Sequence, residues 1–79
     1  MDKFEIFEKV KNICKDVFEN DELILTENSS MSDIEKWDSL THLSIISDIE
    51  DEFNISFTLD EISNSKSIER LIFVIQKHL

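Results

Sequence analysis

The sequence predicts a small all-α protein: a four-helix bundle of three longer helices and one short one, with a long first loop. Three observations predict it. Apolar residues recur at three- and four-residue spacing over several separate stretches. Serine, threonine and aspartate stand where helices should begin. A length of 79 residues allows one domain with a modest core, and the 41% apolar content is enough to fill it. Residues 1–79 therefore read as a single domain.

Residues 3–18 form the first helix. Phe4, Phe7, Cys14, Val17 and Phe18, with Val10 and Ile13, make its apolar stripe, and Asn20-Asp21 ends it. Cys14 lies within the stripe and reads as a buried, inert thiol. Residues 19–38 are the long connection, in which Leu23, Ile24 and Leu25 should tuck under the bundle. Ser32-Asp33-Ile34-Glu35 has the form of a capping box and predicts a single helical turn. Trp37 reads as a packing anchor for the end of this loop.

Asp38 is the expected N-cap of the second helix, residues 39–53. At about 3.6 residues per turn, Leu43, Ile46, Ile49 and Phe53 share one arc, with Ile45 at its border. Thr41, Ser44, Ser47, Asp48, Asp51 and Glu52 share the opposite arc, and Leu40 falls among them. His42 lies toward the apolar side. Two readings are open for it: a histidine at the core edge, or a donor to a phosphate on Ser39.

Asn54-Ile55-Ser56-Phe57 alternates like a strand, but no second strand is available to pair with it, so an extended loop is expected. Thr58-Leu59-Asp60-Glu61 is a capping box opening the short third helix through about Ile62. Ser65 or Ser67 caps the last helix. Ile68, Leu71, Ile72 and Ile75 line one face there, Phe73 and Val74 widen it, and Lys77 and His78 complement the dipole at its end.

Composition excludes several functions. Glycine is absent, so no glycine-rich phosphate cradle exists. One cysteine and two distant histidines offer neither a disulfide framework nor a metal site. A net charge of −10 opposes nucleic acid and anionic lipid and favours partners with basic surfaces. No lysine or arginine occurs between Lys36 and Lys66, so the surface around Ser39 carries one sign. No apolar run could cross a bilayer, and no secretory signal is visible, so a cytoplasmic monomer is expected. No base and acid accompany Ser39 in the order of a triad, so the chain is not read as an enzyme.

Asp38-Ser39-Leu40, with the amphipathic helix ending in Ile49-Glu50-Asp51-Glu52-Phe53, resembles the acyl carrier proteins. Motif, helix, length and acidity agree over nearly all of the chain. The resemblance implies that Ser39 is esterified by 4′-phosphopantetheine from coenzyme A, with Asp38 and His42 beside the cofactor. It implies acyl or aminoacyl cargo held as thioesters, and a phosphopantetheinyl transferase with loading and transferring enzymes as partners. Leu40, Thr41, Ser44, Ser47, Asp48, Asp51 and Glu52 would meet those partners. A cleft between the second and third helices, lined by Leu43, Ile46, Phe57, Ile62, Ile68 and Leu71, could shelter a fatty chain.

Carriers of fatty acid biosynthesis usually have glycine shortly before the aspartate and acids two and five positions after the serine. Lys36-Trp37, Thr41 and Ser44 stand there instead. The W-D-S-L form also resembles carriers of specialised polyketide, peptide or saccharide pathways. Two other readings stay open from the residues alone: an unmodified acidic helical adaptor, and a small regulatory protein phosphorylated at Ser39.

Overall fold

A computed structural model describes residues 1–79. It is all-helical, with α1 Lys3–Phe18, α2 Ser39–Phe53, α3 Leu59–Ser63 and α4 Ile68–His78. Every helix starts on a side-chain cap. Asp2 accepts from the Glu5 amide, Asp38 from those of Leu40 and Thr41, Thr58 from that of Glu61 and Ser67 from that of Arg70. Of the two serines considered for α4, Ser67 is the cap; Ser65 is buried and donates its hydroxyl to the Glu61 carbonyl.

With no glycine in the chain, other residues take the left-handed conformation that ends α1 and α2. Glu19 has φ 54° and Asn54 φ 55°. Asparagine tolerates that region; glutamate adopts it at a cost of about 1 kcal/mol. Offsetting bonds run from the Glu19 amide to the Asp16 carbonyl and from the Asn20 amide to the Lys15 carbonyl.

α1 packs against both α2 and α4. Ile6, Val10, Cys14 and Phe18 form its buried row, at strict four-residue spacing. This corrects the expected stripe: Ile6 belongs to it and Phe4 is exposed, because a four-residue row drifts around the helix and leaves Phe4 off it. On α4 the buried row is Ile68, Leu71, Ile72, Val74 and Ile75. Phe73 is exposed, with the Arg70 guanidinium 4.9 Å from its ring centre.

The long connection is laced to the start of α4. The Met31 amide donates to the Lys66 carbonyl, and the Ile68 and Glu69 amides donate to the Ser29 and Glu27 carbonyls, all within 3.1 Å. First-turn amides that have no partner in their own helix are satisfied in this way. Leu25 is buried and Leu23 half-buried, but Ile24 is exposed, correcting the expectation that all three tuck in. Ser32 and Glu35 form no capping box. Ser30 bonds Asp33 instead, and residues 31–36 make turns without a helix. Residues 55–58 form neither helix nor strand, and the Phe57 amide is held by the Glu50 carboxylate at 2.7 Å.

Ile46, Ile68 and Leu71 are closed into the core and Leu43 is exposed. None of the four surface cavities is lined by the residues expected to form a cleft between α2 and α3. Ile45 and Ile49 of α2 and Ile68, Leu71, Ile72 and Ile75 of α4 are fully buried and fill the interior behind those residues.

Candidate functional site: the first turn of α2

Ser39 is the first residue of α2 and is exposed. The bonds of this turn run through its neighbours. Asp38 Oδ1 accepts from the Leu40 and Thr41 amides at 3.0 and 2.9 Å. The Thr41 hydroxyl accepts from the Asp38 amide at 2.9 Å and donates to the Lys36 carbonyl at 2.8 Å. The backbone bond from the His42 amide to the Asp38 carbonyl, at 2.9 Å, closes the turn. The two amides at Asp38, first of all that of Thr41, hold its carboxyl below the usual carboxylate range. An ionised cap at the positive end of a helix is the result.

Thr41 is half-buried and its hydroxyl is consumed by the cap.

His42 requires a larger correction. It is 3% exposed, at the centre of the buried face of α2, and is not free to donate to a phosphate on Ser39. The Trp37 indole N–H donates to its Nδ1 at 3.1 Å, and its Nε2 lies 2.9 Å from the Ile62 carbonyl oxygen. Both ring nitrogens are therefore occupied inside the protein. Nδ1 is an acceptor, so the proton is on Nε2 and is donated to Ile62. Trp37 itself is buried against Phe18, ring centres 6.0 Å apart, as a packing anchor should be.

Since His42 takes the middle of the apolar arc, the arc turns toward Ile45 and away from Leu43. Ile45 is fully buried and Leu43 is 54% exposed. Leu40 is 76% exposed, and Leu59 at the start of α3 is 84% exposed. Leucines at 40, 43 and 59 thus lie in solvent on the two helices that His42 connects; sequence reasoning identified only the first. Ser44, Ser47, Asp48, Asp51 and Glu52 are all exposed on α2. Glu52 is bonded to Lys9 of α1 at 3.4 Å, an exposed pair of small energetic weight. No group of side chains is arranged to hold a metal ion, and no helix is long and apolar enough to cross a membrane.

An exposed hydroxyl, free of the cap network and fixed on a helix start, suits a covalently attached phosphate ester: the helix end favours the negative charge and nothing covers the oxygen. The sequence pattern described as "Phosphopantetheine attachment site" matches residues 8–73. The acyl carrier protein of Lactobacillus acidophilus is 34% identical over 79 residues, covering 99% of this chain and 98% of that one. The acyl carrier protein of Petrotoga mobilis is 32% identical, covering 100% and 93%. In three dimensions the chain is similar to the holo acyl carrier protein of Geobacter metallireducens. That likeness has a TM-score of 0.82 at 32% identity, covering 91% of this chain and 83% of that one. The chain therefore belongs to the acyl carrier proteins, carriers rather than enzymes, which hold their cargo on a covalently attached 4′-phosphopantetheine.

Proposed function

We propose that Ser39 is the attachment residue and that the chain presents acyl cargo to enzymes that dock on α2 and α3. The observation that carries this is the exposed first-turn serine whose neighbours, not itself, make the cap. In the attachment step the Ser39 oxygen forms a phosphodiester bond to the pyrophosphate of coenzyme A. The bond to the 3′,5′-bisphosphoadenosine half breaks, and the serine proton passes to a base of the transferase. Asp38 contributes by fixing the turn, which holds the serine oxygen outward before and after modification. The attached group supplies a terminal thiol on a flexible tether, which keeps a thioester near each docked enzyme at high effective concentration.

Docking in this reading uses Leu40, Leu43 and Leu59 as apolar contacts and Ser44, Ser47, Asp48, Asp51 and Glu52 as the acidic border. Transferases and acyl-handling enzymes with basic faces complement it. The acids sit toward the C-terminal half of α2, while Thr41 and Ser44 occupy its start. That pattern supports a carrier of a specialised acyl pathway over one of housekeeping fatty acid synthesis.

Intact-mass spectrometry tests the reading. Incubation with coenzyme A and a broad-specificity transferase should add about 340 Da, and Ser39→Ala should add nothing (compare the covalent modifications in). A gain of about 80 Da with a kinase and none with the transferase would support phosphorylation instead. No gain under either condition would leave an unmodified adaptor.

A further inference from the structure

α3 has only five residues, too few to hold a helix by internal bonds alone. It makes few close backbone approaches to the longer helices. Side-chain links on both of its sides help to place it. Glu61 reaches Lys77 and His78 of α4, at 3.0 and 2.9 Å. On the other side, the Ile62 carbonyl accepts the bond from His42. His42 is one turn beyond Ser39, and its other nitrogen is held by Trp37, in the loop just before Ser39. A continuous chain of bonds, indole to imidazole to carbonyl, therefore joins the loop before the serine, the first turn of α2 and α3.

We propose that His42 is a positioning residue for the modification of Ser39. Its Nε2–H bond to Ile62 sets α3 at a fixed distance from the serine, and its Nδ1 contact with Trp37 fixes the ring that makes the bond. This rests on Ser39 being the attachment residue. The transferase then meets Leu40 on α2 and Leu59 on α3 as parts of one preset surface. Without the link, the α2 side of α3 is left to the Phe57–Glu50 bond and the packing of Ile62, and each encounter must first restore its place. That cost falls on recognition of the carrier, not on the chemistry at the hydroxyl.

The test measures transferase kinetics against carrier concentration for the parent, His42→Leu and His42→Gln, well below the melting temperature of each. His42→Leu loses both bonds. A glutamine at 42 retains an amide N–H that can reach the Ile62 carbonyl. We expect the KM for the carrier to rise about five- to tenfold in His42→Leu, the scale of one lost buried hydrogen bond. kcat and the KM for coenzyme A should stay within about twofold, and His42→Gln should lie closer to the parent. A general loss of stability would not split the constants in this way. Nitrogen NMR of the folded parent, which needs no variant to fold, should show the His42 proton on Nε2 and a slowly exchanging Trp37 indole proton.

An unchanged carrier KM in His42→Leu, equal impairment in the two variants, or a proton on Nδ1 would overturn the role of His42. A parent that accepts no adduct would instead overturn the assignment of Ser39, and this role with it.

Discussion

At the scale of single residues, function depends on which polar atoms are spent inside the protein and which are left outside. Asp38, Thr41 and His42 spend theirs within the turn or the core, while Ser39 keeps an exposed oxygen. Asp38, Ser39 and Trp37 were legible in the sequence, because capping chemistry and a lone tryptophan beside the cap point one way. His42 and Leu43 were not. Hydropathy places leucine inside and histidine at the edge, yet the histidine is the buried one, since both its nitrogens find partners there. The indole donor lies five residues before it, and the Ile62 carbonyl lies across a loop whose course no periodicity reports. Cys14 follows its sequence reading. Burial pushes its thiol up to about 12, so the thiolate is scarce at neutral pH. Alkylation at pH 8 is expected to be negligible in the folded protein and fast in denaturant. Rapid labelling under native conditions would show that α1 opens locally.

At the scale of helices, all four were legible, with Asp38 and Thr58 as caps and Ser67 as one of two serines open for α4, because each precedes an apolar run. The false capping box at Ser32 shows the limit of that signal: an S-x-x-E spacing starts a helix only where the chain that follows can bury a face. Residues 31–36 are instead committed to turns between α1 and the Lys66 strand-like contact. Glu61 was legible as part of the α3 box, but its second task was not. It also receives Lys77 and His78 from the end of α4. The Thr58 amide first, then His78 and Lys77, lower its carboxyl from 4.5 to about 2. The depressed value means that its contribution to stability is complete above the ordinary carboxylate pKa. That contribution is lost as pH falls from about 4.5 toward about 2. Glu61→Gln should therefore lower the melting temperature at neutral pH, and the gap to the parent should narrow across that acid window. A gap that stays constant from pH 7 to pH 2 would show that the ion contacts of Glu61 are not what stabilises the α3–α4 junction.

At the scale of the whole molecule, the uneven placement of charge is the main feature. The net charge is −10, and no lysine or arginine lies between Lys36 and Lys66. The cations that exist are concentrated on α1 and α4, where Lys9, Lys11 and Lys77 are already paired with carboxylates. α2 thus presents Asp48 and Asp51 without a cation of its own helix beside them. This asymmetry was legible from composition by position, since charge is read directly from residue type. The exposed leucines at 43 and 59 were not, since exposure depends on how the helices rotate in the bundle. Asp48→Lys with Asp51→Lys should slow association with a basic-faced transferase by about tenfold at low salt, and much less at high salt. Equal association rates for the variant and the parent would remove the acidic border from the docking account.

The central claim is that one oxygen, at position 39, bears the tether. Fragment mass spectrometry of the protein after treatment with transferase and coenzyme A tests it most directly. The account predicts that the added mass maps to Ser39 alone, with Ser44 and Ser47 on the same exposed helix unmodified. An adduct mapped to another residue, or one that persists in Ser39→Ala, would contradict it.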